Sequence, residues 1–143
     1  GSTVFNTLVR GNYIGVNKDG DQDLGNSANG VLISAGAVAT IIGGSTSAAR
    51  NVISGNGSSG IGIVNSDGTI LSGNYIGTNQ LGSSPIGNVT GISLVHSQAS
   101  VLGGTTPGAG NVISGNSGYV VTLGGITSLV AYGNTIGLDA AAT

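Results

Sequence analysis

Asn17-Lys18-Asp19-Gly20-Asp21-Gln22-Asp23 sets an oxygen-bearing side chain at every second position around a glycine, the pattern by which short loops wrap calcium. Calcium is therefore the candidate cofactor, with Asn17, Asp19, Asp21 and Asp23 as its ligands. The same loop returns later as Asn79-Gln80-Leu81-Gly82-Ser83-Ser84-Pro85-Ile86-Gly87-Asn88, aligned without a gap, with Leu81, Ser83 and Pro85 in place of the three aspartates. So the loop can be built without metal, and it lacks the distal Glu of a helix-loop-helix site. A solvated acidic loop is the competing account. Outside it, catalysis has little to work with. A glycosidase needs two carboxylates flanking one bond, and a lyase needs metal-binding carboxylates with a base. Only Asp67 and Asp139 remain, and the strand pattern below puts them in different corners. His96 follows Ile92-Ser-Leu-Val95 with no Ser, Cys or carboxylate at a useful spacing and reads as a turn residue. No enzyme activity is expected. Tyr13 and Tyr75 are the remaining candidates, because exposed aromatic faces can stack on the sugar rings of a polysaccharide.

Composition excludes further classes. Three basic against five acidic residues give a net charge of −2, so there is no basic footprint for nucleic acid. The most apolar stretch, Val31 to Ile42, is broken by Ser34, Gly36 and Thr40 and is shorter than a membrane span. Zero Cys removes disulfides and thiol chemistry. With no Met anywhere, the chain reads as a processed form or a fragment.

What must position these residues is a repeat. One six-residue phrase occurs five times, starting at Asn12, Asn51, Asn74, Asn111 and Asn134, with Ile14, Ile53, Ile76, Ile113 and Ile136 at its third position and Asn17, Asn56, Asn79, Asn116 and Asp139 at its end. Its copies are unevenly spaced. A second set of apolar triplets, beginning at Val31, Ile61, Ile92 and Val120, recurs about every 30 residues and defines the coil. A third set, Thr7-Leu-Val9, Thr40-Ile-Ile42, Thr69-Ile-Leu71, Ser100-Val-Leu102 and Ser128-Leu-Val130, lies between the other two. Each coil thus carries three short strands. The uneven spacing arises because the extra residues alternate between two corners: after the phrase in one coil, before it in the next. Two coils form the higher-order unit.

With 29 Gly, no Met and apolar residues in threes instead of at i, i+3, i+4, helices are nearly excluded. The pattern predicts an all-β parallel solenoid of about five coils of about 30 residues, a single segment over 1–143. Within it, the five isoleucines stack inward at about 4.8 Å. The leading and trailing Asn residues form two structural ladders of amides. Tyr13 and Tyr75, adjacent to inward Ile residues, turn outward.

The phrases "NVISGN" and "GNYIGTN" with their following "GI.I" triplets resemble the right-handed parallel β-helix repeats of bacterial cell-surface and secreted proteins. The resemblance spans essentially the whole chain and implies an extracellular, non-catalytic structural role as filament unit, stalk or adhesin body. Its implied partners are flanking solenoid coils or further copies of the chain stacked head to tail; the alternative is a glycan-binding module. The catalytic carboxylate and basic clusters of β-helical lyases and hydrolases have no counterpart here. Of two glycosylation sequons, Asn56-Gly-Ser58 and Asn88-Val-Thr90, the first falls on the predicted ladder, where a glycan does not fit.

Overall fold

The computed structural model describes residues 3–141. Its strands are numbered in chain order and lie in three parallel sheets, one per side of a coil. The first sheet holds β1 (Leu8–Val9), β4 (Ile41–Gly43), β7 (Ile70–Ser72), β10 (Ser100–Gly103) and β13 (Leu129–Tyr132). The second takes one strand from each Asn phrase: β2 (Tyr13–Ile14), β5 (Val52–Ile53), β8 (Tyr75–Ile76), β11 (Val112–Ile113) and β14 (Thr135–Ile136). The third has β3 (Val31–Ile33), β6 (Ser59–Val64), β9 (Thr90–Val95) and β12 (Val121–Gly124). Two sheets of five strands and one of four make about four turns, fewer than the five phrase copies suggest. The only helix among the described residues is a single 3-10 turn, Ser47–Ala49, capped by the Thr46 side chain.

Every pairing between the named strands is parallel and in the register of the repeat. Ile14 pairs with Ile53, Ile53 with Ile76, Ile76 with Ile113 and Ile113 with Ile136. This row and its equivalents on the other sheets fill the interior, where Ile42, Ile53, Ile61, Ile63, Leu71, Ile76, Ile92, Leu94 and Ile113 are all at 0% exposure. Burial of a branched aliphatic contributes about 1.5–3 kcal/mol per side chain, so the stacked interior is the main source of stability. Ile136, on the outermost strand of its sheet, is 52% exposed.

The alternating corners have a defined shape. After β2 the chain turns out as a short antiparallel ribbon, with Val16 bridged to Asp23 and Asn17 N–H donating to the Gln22 carbonyl at 3.0 Å. After β8 the same ribbon forms from Thr78 and Pro85, with Asn79 N–H donating to the Ser84 carbonyl at 2.9 Å. After β5 and β11 the corner is short, only Ser54-Gly55 and Ser114-Gly115 before the next Asn. Glycine carries the close contacts. At Gly77, φ is +89° and a β-carbon would run into the Ser114 carbonyl and the Asn116 side chain.

Candidate functional site

The most extensive organised polar feature is a pair of asparagine ladders on either side of the second sheet. In the leading row Asn12 Nδ2 donates to Asn51 Oδ1 at 3.0 Å, Asn51 to Asn74 at 2.9 Å, Asn74 to Asn111 at 3.0 Å and Asn111 to Asn134 at 2.9 Å. Each acceptor oxygen also takes the backbone N–H of the preceding Asn, at 2.9–3.4 Å. The second amide hydrogen caps a strand carbonyl, as from Asn74 to Ile42 and from Asn111 to Leu71. Sequence separations along the row are 39, 23, 37 and 23, so the ladder bridges corners of very different length.

The trailing row differs from the sequence reading. Its bonds run Asn26 to Asn56 at 2.8 Å, Asn56 to Asn88 at 2.8 Å and Asn88 to Asn116 at 3.0 Å. Asn17 and Asn79 are not in it. They sit at the base of the ribbons and bond locally, Asn17 Oδ1 accepting from Asp21 N and Gln22 N, and Asn79 Oδ1 from Ser83 N and Ser84 N. Asp139 likewise faces its own loop, accepting from Ala141 N at 2.9 Å. The cause is that the ribbon is inserted between the end of the phrase and the ladder position. A readable signal existed: each ladder residue follows a glycine, in Gly25-Asn26, Gly55-Asn56, Gly87-Asn88 and Gly115-Asn116. Asn56 and Asn88 are 1% and 0% exposed with their amides bonded, so both sequons, not one, are sterically closed.

The acidic ribbon does not gather its carboxylates. Lys18 pairs with Asp19 at 2.8 Å, Asn17 Nδ2 donates to Asp21 Oδ1 at 2.7 Å, and Asp23 Oδ1 accepts from Gly25 N at 2.8 Å. Among the described residues no three His, Cys, Asp or Glu side chains converge as a metal site requires.

Tyr13 and Tyr75 lie on the outer face of the second sheet, in register with Val52 between them. That face is less open than strand alternation predicts: Val52 is 1% exposed and Val112 6%, because the side loops fold over it. Arg50 stands 4.0 Å above the Tyr75 ring and its Nε donates to the Gly73 carbonyl. One aromatic face of Tyr75 is thereby occupied. Tyr13, 42% exposed, donates its hydroxyl to Gln80 Oε1 at 3.0 Å. It borders a recess of about 170 Å³ with Ser47, Arg50, Val52 and Gln80.

Asp67 and Asp139 occupy different corners. Asp67, between β6 and β7, accepts from Gln98 N at 2.7 Å, and Gln98 Oε1 in turn accepts from Thr127 N at 2.8 Å, a short polar ladder that the sequence reading missed. His96 is in the adjoining turn with φ +48°, stacked in line with Asn65 at φ +49° and Gly125 at φ +63°. The buried hydroxyls of Thr69 and Ser100 have no protein partner. Among the described residues no helix is long and apolar enough to cross a membrane. Comparison with protein-family models, with curated proteins and with solved structures finds no match to this chain.

Proposed function

We propose that the chain is a non-catalytic structural segment of an extracellular β-solenoid, a stalk, filament unit or adhesin body of the right-handed parallel β-helix kind. The observation that carries this reading is the use made of polar side chains. The asparagines of both ladders bond from coil to coil, and the carboxylates accept from neighbouring backbone N–H groups, from the Asn17 amide or from Lys18. Such chemistry suits holding a stack of coils together, and among the described residues no three metal-ligating side chains converge. The test is incubation with a panel of acidic and neutral polysaccharides, following new reducing ends and unsaturated products. The expected result is no turnover. Turnover that disappears in Asp67→Asn would sink the structural reading.

A glycan-binding role is the second reading, and the recess beside Tyr13 favours it. The half-exposed ring, the Arg50 guanidinium and the Gln80 amide line one small concavity, a combination suited to stacking on and hydrogen-bonding to a single sugar unit. Binding on a glycan array that is lost in a folded Tyr13→Ala variant would establish it; an array that stays blank would remove it.

A further inference from the structure

The polar side chains that line the recess beside Tyr13 are ones the coil is built without elsewhere. The loop before the second Asn phrase, residues 43–50, and the loop before the fourth, residues 103–110, align without a gap. Both close with the same backbone bonds. Ala49 N–H donates to the Thr46 carbonyl and Ala109 N–H to the Thr106 carbonyl, each at 3.1 Å, while the Ala49 and Ala109 carbonyls accept from Gly11 N and Gly73 N. Two coils apart, Gln80 N–H donates to the Gly20 carbonyl at 2.8 Å as Ala140 N–H does to the Gly82 carbonyl at 2.9 Å. In this alignment Ser47, Arg50 and Gln80 correspond to Pro107, Gly110 and Ala140. The backbone bonds form with or without the polar groups, and all three of those groups face one concavity.

Arg50 is the informative member. Its Nε donates to the Gly73 carbonyl at 3.2 Å and its guanidinium carbon stands 4.0 Å above the Tyr75 ring. These contacts fix a half-buried cation in one place, yet they engage neither Nη group. The single ion pair among the described residues, Lys18 with Asp19, does not involve it. A planar fork held in position with its terminal donors open suits bidentate recognition of an oxyanion. Tyr13 supplies the adjoining aromatic surface. Its hydroxyl is tied to Gln80 Oε1 at 3.0 Å, and Gly20 lets the two approach, since a β-carbon there would lie 2.8 Å from Gln80 Cβ and 3.1 Å from Tyr13 Cε2. The Ser47 hydroxyl and the Gln80 amide nitrogen are left to meet sugar hydroxyls.

We propose that this recess is a subsite for a sugar unit carrying an oxyanion, a carboxylate or a sulfate ester, with Tyr13 against the sugar ring and the Arg50 Nη groups on the anion. The proposal rests on the glycan-binding reading and narrows it to acidic polysaccharides. Its volume, about 170 Å³, is well below the roughly 300 Å³ at which pockets for drug-sized ligands begin. One unit of a chain fits, and the rest of the polymer stays outside.

The test is calorimetric titration of the full chain with three probes: oligouronates, sulfated neutral oligosaccharides and the same neutral oligosaccharides without sulfate. The parent is compared with Arg50→Gln, Arg50→Lys, Tyr13→Ala and Arg10→Gln, each first shown to be folded by circular dichroism. Arg10 is the control, because its Nε makes the same kind of bond, to the Gly43 carbonyl, outside the recess. The parent is expected to bind at least one acidic probe about tenfold or more above the neutral one, and the probe preferred identifies the anion. Arg50→Gln should weaken that binding about ten- to a hundredfold. Arg50→Lys, which keeps the charge without the fork, should fall between, and Arg10→Gln should match the parent. Equal affinity for neutral and acidic probes, lost in Tyr13→Ala alone, would overturn the oxyanion subsite and leave the glycan-binding reading standing. Absence of binding to every probe would remove both, a comparison on the parent that needs no variant. Equal losses in Arg50→Gln and Arg10→Gln would reduce the effect to overall charge and overturn the subsite too.

Discussion

Ile76 shows what a single interior position is worth here: it is at 0% exposure between Ile53 and Ile113 in a three-membered buried row. Ile76→Asp would place a carboxylate with no partner in that row, where desolvation costs several kcal/mol. The variant is expected to lose its β-sheet circular dichroism at 25 °C, and retention of the parent's melting point would show that the row is not interior. The asparagines allow a finer comparison. Asn88→Ala removes an amide that bonds to Asn116, to Asn56 and to the Ile53 carbonyl while fully buried, and should cost about 2–4 kcal/mol from the groups left unpaired. Asn79→Ala loses only exposed bonds within its own ribbon and should cost about 1 kcal/mol or less. Denaturant melts of the two variants check this ordering. In the opposite direction, Thr69→Val keeps the shape of a 0% exposed side chain and deletes a hydroxyl without a protein partner; a gain of about 1 kcal/mol is expected. The isoleucine row was legible in the sequence because its position in the phrase is the same in every coil. The trailing ladder was marked only by the glycine before each of its asparagines, because position within the phrase and position along the solenoid axis separate wherever a ribbon intervenes.

At the scale of the element, strand length and corner conformation divide the labour. Two-residue strands such as β5 and β8 have little intrinsic preference and form because pairing above and below them is already in register. Glycine at the corner makes that register unique. Gly77→Ala combines a left-handed backbone with a collision against the Ser114 carbonyl and should destabilise by at least about 2 kcal/mol. Gly124→Ala, with ordinary φ and its nearest neighbour 3.8 Å away at Val95, should be close to neutral. Equal melting temperatures for the two variants would contradict the tight corner. The ribbon from Val16 to Asp23 is likewise closed by backbone and amide bonds that its counterpart from Thr78 to Pro85 reproduces with Ser83 and Ser84 in place of Asp21 and Gln22. Neither calcium nor a chelator is therefore expected to move the melting temperature, as calorimetry in both conditions would check; a calcium-dependent rise would restore the metal reading. Spacing of the acidic residues pointed to a ligand shell, but spacing does not reveal that Asp19 pairs with Lys18 while one oxygen of Asp21 and one of Asp23 take separate local bonds, from Asn17 Nδ2 and Gly25 N.

Across the whole molecule, stability should be distributed as in a one-dimensional stack, where each coil is held mainly by the coils above and below it and only side-loop contacts such as Tyr13 to Gln80 reach two coils away. The burial pattern is graded accordingly. Interior residues of β5, β8 and β11 are at 0% exposure at Ile53, Ile76 and Ile113, whereas in the same row Ile136 of β14 is 52% exposed and Ile14 of β2 is only half-buried. Ion pairs add little to this gradient, since the single salt bridge among the described residues, Lys18 to Asp19, is solvent-exposed on both sides, and such pairs contribute about 0–1 kcal/mol. Two consequences can be measured together. Amide exchange should be slowest in β7, β8 and β9 and should quicken toward β1 and β14, because opening from an end breaks one coil interface at a time. The melting temperature should also be nearly unchanged between low and physiological sodium chloride, because there is no charge network to screen. A protection profile that is flat from end to end would mean that the segment opens as one cooperative block. The coil-by-coil account of its stability, built on stacked isoleucines and amide ladders between neighbours, would then be wrong even with every strand pairing correct.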